Sequence, residues 1–468
     1  MKKDDDTSTN LQNALERLRI KPVQLIPLSF LLVIAFGTLL LMMPIATSAE
    51  EPAGFLTALF TATTSICVTG LVVVDTFSYW SLFGQLVILI LIQVGGLGVV
   101  AVGSMFMLLS KKKFFLRNRM LLGDSLNLDA RRGQLQFLIR MFRGVFIVEA
   151  CGAILCAVKL VPMLGVGQGL WASLFQSVSA FCNAGMDVIG PDSMISLRTS
   201  NLLMWTTMIL IILGGLGFVV WFDLSDGIRT GIRQHFSPAK IFHRLPEHTK
   251  AVLIVTLTLI LGGAAIVFGA EYANPSTIGG MGLKDKILNC LFQSVTFRTA
   301  GFASIPQEKL TEISCMTGYV LMFIGGSPVG TAGGIKTVTA FLFFINAFSY
   351  VNGKKENVIF HKRVPEEVMK KSAAIVFVSL VTVFVITLLI MGVEGISQTD
   401  ALYEVTSALG TVGLSRAITP TLHRTGRIII TVAMFLGRVG PISMALFFAK
   451  GTGADNTFRH ADGKFYVG

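Results

Sequence analysis

Apolar and polar positions fall in long blocks along this chain. A polar start at residues 1–20 gives way to apolar runs at 23–45, 55–67 and 82–109. The same long–short–long order recurs at 137–160, 170–181 and 202–222, then at 252–270, 287–297 and 316–344. It closes at 373–391, 401–409 and 428–448. A helix needs about 20 apolar residues to cross roughly 30 Å of hydrocarbon, and the long runs meet that length. With no water there to satisfy the backbone, the long runs are predicted to be eight spanning helices. The short runs cannot span, and are predicted to enter the membrane and turn back.

Each short run ends in a glycine preceded by small or polar residues. The four endings are TSICVTGL, SAFCNAGM, VTFRTAGF and SALGTVGL, with glycines at Gly70, Gly185, Gly301 and Gly413. The spacings are 115, 116 and 112 residues, so one unit is used four times. A second glycine-rich anchor keeps step at Gly95-Gly96-Leu97-Gly98, Gly214-Gly215-Leu216-Gly217, Gly325-Gly326-Ser327-Pro328 and Gly437-Arg438-Val439-Gly440. The predicted fold is an all-α membrane protein of four helix–re-entrant loop–helix repeats around one central pore. Its expected units are 1–110, 111–222, 223–348 with an intramembrane loop, 349–450, and a tail at 451–468.

Charge adds orientation. The chain carries a net +12, but the cations sit in links after the second long run of each repeat, at 111–132, 229–250 and 354–371. Acids such as Glu50, Glu51, Asp75, Asp187, Asp192 and Glu394 flank the short runs. The positive-inside rule then places both termini in the cytoplasm and the short runs toward the outside. It also removes the nucleic-acid reading of a basic chain. The last repeat departs from the rule, since Arg416, His423, Arg424 and Arg427 follow its glycine. The six cysteines and six histidines show no metal-ligand or disulfide spacing, and no catalytic constellation stands out, so no enzyme is read.

A short helix that stops inside the membrane turns the negative end of its dipole inward, and four such ends favour a cation. The segments Val68-Thr69-Gly70, Asn183-Ala184-Gly185, Thr299-Ala300-Gly301 and Thr411-Val412-Gly413 can then offer backbone carbonyls in place of an ion's water. Glycine permits φ > 0 and a close approach to the axis. In the third repeat, Gly325, Gly326, Ser327, Pro328, Gly330, Thr331, Gly333 and Gly334 interrupt an apolar run, so a continuous helix is not expected. The other three second helices are expected to be unbroken. The same stretch ends Gly334-Ile335-Lys336-Thr337, which lacks the glycine directly before lysine that a phosphate loop needs. Arg438 lies midway along an apolar run, too deep to reach the surface. It is expected either to face the pore as a barrier to cations or to pair with a buried acid such as Glu149. Arg298 is expected to brace the filter loop. Asp75 and Asp187 are expected at the outer mouth, either concentrating cations or simply solvated.

With its four one-glycine loops and Thr411-Val412-Gly413-Leu414 close to the potassium-channel filter pattern, the chain resembles the Trk/Ktr/HKT superfamily of cation transporters over residues 22–450. It is most similar to the KtrB-type membrane subunit of bacterial Ktr systems, whose tail the ending GKFYVG at 463–468 also resembles. The resemblance implies potassium uptake at the bacterial plasma membrane. It makes the twelve residues above the filter, with K+ at their backbone carbonyls, and the third-repeat loop with Arg438 the gate. It implies a homodimer surrounded by membrane lipid and a cytosolic KtrA-type ring binding ATP or ADP, with sodium as a candidate modulator and no cofactor in this chain. Plant relatives with serine at the first filter position prefer sodium, so Gly70 implies potassium. A sodium-selective or non-selective pore and an ion-coupled transporter stay open as alternatives.

Overall fold

The computed structural model describes residues 22–48, 51–109, 134–354 and 356–440. The polar start at 1–20, the basic link 111–132 and the tail at 451–468 lie outside the described residues. In order come α1 (Pro22–Leu41), α2 (Phe55–Ile66), α3 (Leu82–Leu97), α4 (Val99–Leu109), α5 (Gln134–Leu164), α6 (Val166–Cys182), α7 (Asn201–Leu216) and α8 (Phe218–Arg233). A short α9 (Pro238–Arg244) leads to α10 (Glu247–Glu271), α11 (Leu283–Phe297), α12 (Glu312–Phe323) and α13 (Thr337–Val351). A small antiparallel hairpin of β1 (Val358–Ile359) and β2 (Lys362–Arg363) precedes α14 (Glu366–Glu394), α15 (Gln398–Gly410) and α16 (Arg424–Val439).

The molecule is apolar outside and hydroxyl-rich inside. Leu32, Phe36, Phe146, Ile147, Phe377 and Phe384, on α1, α5 and α14, are all more than half exposed. The short helices are buried down to their hydroxyls, including Thr64, Ser65, Ser177, Ser179, Thr296 and Ser407. A belt of large exposed apolar side chains is not tolerated by water, and it fits a hydrocarbon solvent. Among the described residues, three helices are long and apolar enough to cross a membrane unaided: 135–164, Glu247–Glu271 and Glu366–Glu394.

Two of the expected continuous spans are broken. The run 82–109 bends by 98° between α3 and α4, and 202–222 lies in a run that bends by 99° between α7 and α8. The cause is the last glycine of the second anchor. Gly98 and Gly217 have φ of 89° and 88°, which a helix cannot accommodate, and Gly440 after α16 has φ 92°. Breaks of the second helix are thus not peculiar to the third repeat, although its excursion between α12 and α13 is the longest.

The first glycine of that anchor has a different task. A Cβ on Gly95 would come 2.7 Å from the Ile66 carbonyl carbon, and one on Gly437 would come 2.8 Å from the Leu409 carbonyl carbon. A Cβ on Gly214 would strike the Phe181 carbonyl oxygen. In each case α3, α7 or α16 presses its bare backbone on the last turn of a short helix. Gly95→Ala, Gly214→Ala and Gly437→Ala should each cost about 1–3 kcal/mol through overpacking. Thermal unfolding in detergent should show each variant melting several degrees low. Gly103→Ala, where nothing lies within 4 Å, should melt like the parent chain. Equal melting of all four would contradict this packing account.

Candidate functional site

Four short stretches of backbone share one unusual conformation. The residues two before each glycine, Val68, Asn183, Thr299 and Thr411, have φ of 55°, 62°, 64° and 50°. The glycines Gly70, Gly185, Gly301 and Gly413 follow with φ of 94°, 65°, 86° and 96°. A β-branched residue in the left-handed region is a genuine outlier, at roughly 1–3 kcal/mol each, and such strain collects at functional positions.

The four stretches meet in a ring. A Cβ on Gly185 would lie 2.6 Å from Ala300 O, and one on Gly301 would lie 2.5 Å from Val412 O. Cβ atoms on Gly413 and Gly70 would collide with Thr69 O and Ala184 O. Each glycine therefore faces the carbonyl of the middle residue of a neighbouring stretch, and the sequence of neighbours closes on itself. Among the described residues no hydrogen bond is made to the carbonyls of Thr69, Ala184, Ala300 or Val412.

The amides of the same four residues turn back on the helices. Thr69 N, Ala184 N and Val412 N each donate at 2.8 Å to Thr64 O, Ser179 O and Ser407 O, and Ala300 N donates to Thr296 O at 3.0 Å. Each stretch thus caps the short helix before it, so the last carbonyls of these helices are partly satisfied rather than all bare toward the axis. Side-chain hydroxyls add a brace. Gly70 N donates to Thr64 Oγ1 (3.0 Å), Gly413 N to Ser407 Oγ (3.1 Å) and Met186 N to Ser179 Oγ (3.2 Å), while Thr296 Oγ1 donates to Phe302 O (2.8 Å). The sequence reading missed these braces. The available signal was a hydroxyl six residues before the glycine in three repeats of four.

The excursion between α12 and α13 folds on itself and on α7. Gly325 N donates to Ile335 O (3.0 Å) and Ile335 N to Phe323 O (3.1 Å). Ser327 N donates to Gly215 O (2.8 Å), Thr331 N to Gly214 O (3.1 Å) and Phe218 N to Val329 O (3.0 Å), so the loop satisfies the broken end of α7. A Cβ on Gly326, Gly330 or Gly333 would strike the loop's own Ala332, Gly214 O or Thr411 Oγ1, while Gly334 needs φ 66° and Pro328 O faces Gly217.

Arg438 holds this loop from the far side. Its Nη1 donates to Thr331 O (2.7 Å), and its Nη2 donates to Gly95 O and to Gly96 O (3.5 Å). Among the described residues no ion pair joins it to Glu149, which instead accepts from Gln93 Nε2 (3.2 Å). Arg438 also lines a cavity of about 540 Å³ with Gly96, Gly98, Gly330, Gly333, Lys336, Leu409 and Gly410. Arg298 donates from Nη2 to Gly325 O (3.2 Å), so it braces the excursion rather than the stretch at 299–301.

Three of the four basic residues that follow the last filter-like glycine find their account in internal ties. Arg416 pairs with Asp400 (2.8 Å) and donates to Gln307 O (3.2 Å), Arg427 donates to Leu422 O (2.9 Å), and the His423 ring meets Glu394 (2.8 Å). Asp75 caps the turn Thr76–Tyr79 by accepting from Ser78 N at 2.9 Å. Asp187 lies past the ring in the loop to α7, where it accepts from Ser193 Oγ (2.5 Å) and Ile189 N (3.4 Å).

The model of the TrkH cation transport protein family matches residues 16–460. The Ktr system potassium uptake protein B of Bacillus subtilis is 36% identical, over 96% of this chain and 98% of its own. The potassium/sodium uptake protein NtpJ of Enterococcus hirae is 33% identical, over 97% and 98%. The crystal structure of the potassium transporter TrkH from Vibrio parahaemolyticus superposes with a TM-score of 0.69 over 90% of this chain and 84% of that one. At 16% identity this is a likeness of fold.

Burial pushes the Asp187 carboxyl up to about 6, against the pull of its Ser193 and Ile189 hydrogen bonds. A carboxyl whose folded pKa is raised stabilises the fold fully below its ordinary value near 4 and loses that contribution as pH climbs through about 6. Relative to Asp187→Asn, the parent chain should lose at most ~3 kcal/mol between pH 4 and pH 7. Melting curves of the two proteins should therefore diverge over that window. Parallel curves would contradict it.

Proposed function

The chain belongs to the TrkH family of cation transport proteins, and we propose that it takes potassium into the cell through a pore whose narrowest point is the ring of Thr69, Ala184, Ala300 and Val412 carbonyls. The observation that carries this reading is the ring itself: four carbonyls without donors, each facing a glycine that no side chain can replace. Backbone oxygens so placed can stand in for the water of a dehydrated monovalent cation, and no charged side chain is needed. The four units bounded near residues 110, 222, 348 and 450 each supply one stretch to this filter.

Below the filter, the excursion from Gly325 to Gly334 is the gate, and Arg438 clamps it through Thr331 O. The fixed positive charge beside the cavity is a barrier to cations while the clamp holds. Opening belongs to a cytosolic partner, since the Ktr relatives are named as parts of a system. We infer a nucleotide-binding ring of the KtrA type that responds to ATP or ADP, set against the cytoplasmic links of a homodimer. The exposed apolar belt takes bacterial plasma-membrane lipid, with both termini in the cytoplasm.

The relative named for potassium and sodium keeps a second reading specific: a pore with poor discrimination between the two ions. Gly70→Ser separates them. With φ at 94° and Ala184 O against its Cβ, serine there has to push the ring apart. Rubidium uptake into proteoliposomes should lose its preference, with sodium competing about tenfold better against rubidium than in the parent chain, a change worth ~1.4 kcal/mol. Unchanged competition would remove the filter reading. Arg438→Ala should raise rubidium flux several-fold in the absence of the cytosolic partner, and an unchanged or lower flux would contradict the clamp.

A further inference from the structure

Thr331 is fully buried, and its polar atoms are committed to four different elements. Its N–H donates to Gly214 O at the end of α7 (3.1 Å), and its carbonyl accepts from Arg438 of α16 (2.7 Å). Its hydroxyl lies 3.0 Å from Phe181 O on α6 and 3.2 Å from Asn183 Oδ1 in the second filter stretch. A hydroxyl carries one proton, so it donates to only one of these acceptors at a time. Turning the Asn183 carboxamide over resolves the competition. Its Nδ2, which is buried without a partner, would then donate to Thr331 Oγ1 while that hydroxyl donates to Phe181 O. Gly214 leaves the space for this turn, since a Cβ there would come 2.8 Å from Asn183 Oδ1.

The other filter stretches have no such bond. Val68 offers no polar side-chain atom, and the hydroxyls of Thr299 and Thr411 make no hydrogen bond among the described residues. Among the described residues the second stretch is the one that meets the gate through a side chain of its own, while Arg298, directly before the third stretch, reaches the gate at Gly325 O.

Resting on the filter and gate reading above, we propose that Thr331 and Asn183 form a latch through which the seated gate loop sets the ion preference of the filter. Asn183 is a positioning residue. Its side chain, held by Thr331, fixes a left-handed backbone (φ 62°) directly before Ala184, whose carbonyl faces Gly70. A loop that leaves takes the hydroxyl with it and frees that stretch. Gate position and ion discrimination are then linked, and the link runs through the second repeat.

The test is a double-mutant cycle read by rubidium uptake into proteoliposomes of the full chain, competed with potassium and with sodium. Thr331→Val keeps the side-chain shape and removes the hydroxyl; Asn183→Leu removes the other end. Each should raise flux and reduce potassium-over-sodium discrimination by about three- to tenfold, the worth of one net hydrogen bond. The double variant should go no further than the larger single effect. Thr331→Ser, which restores the donor, should behave as the parent chain. Should Asn183→Leu not assemble, Thr331→Val against Thr331→Ser decides the question. A changed flux with unchanged discrimination in Thr331→Val, or multiplying effects in the double variant, would overturn the latch. If Gly70→Ser alters discrimination and Thr331→Val does not, only the latch falls. If neither does, the filter reading fails first.

Discussion

Non-helical backbone is tolerated at membrane depth only where protein or a cavity surrounds it. The four stretches around Gly70, Gly185, Gly301 and Gly413 are non-helical and enclosed by protein, and much of the structure answers the needs of that backbone. Their amides turn back on the short helices α2, α6, α11 and α15 and cap them, while the carbonyls of Thr69, Ala184, Ala300 and Val412 are without donors among the described residues. The conformation that does this is left-handed at Val68, Asn183, Thr299 and Thr411. Such a conformation persists only when the surroundings over-determine it, and the hydroxyls of Thr64, Ser179, Thr296 and Ser407 are part of that determination.

The second shell of constraint is close backbone approach. Gly95, Gly214 and Gly437 bring α3, α7 and α16 on to the ends of the short helices, and Gly98 and Gly217 turn the chain away immediately afterwards. The third repeat differs because its excursion folds back across the break of α7, where Val329 O takes the Phe218 amide. Arg438 and Arg298 then pin it through main-chain carbonyls. Arginine suits this work because its guanidinium has five donors and reaches several carbonyls at once.

Membrane character, helical class and the positions of the four special glycines were legible in the sequence, because block length and a fixed period carry them. The family resemblance rested on the same residues. The breaks at Gly98 and Gly217 were not legible, since a glycine within a long apolar run reads equally as helix packing until φ is known. Nor was the role of Arg416 and Arg427, whose partners are Asp400 and main-chain carbonyls distant in sequence or hidden in a turn. Charge counting saw these residues only as exceptions to a topological rule. Arg438 was legible as exceptional from its depth, yet three carbonyl acceptors replaced the acid that pairing rules suggested.

The central claim is that the four carbonyls of Thr69, Ala184, Ala300 and Val412 hold the transported ion. Crystals of the protein grown in rubidium, measured at the rubidium absorption edge, test it most directly. The account predicts an anomalous peak on the axis of the ring, roughly equidistant from the four oxygens, that fades when potassium replaces rubidium. A ring without such a peak, with rubidium bound elsewhere along the cavity, would contradict it.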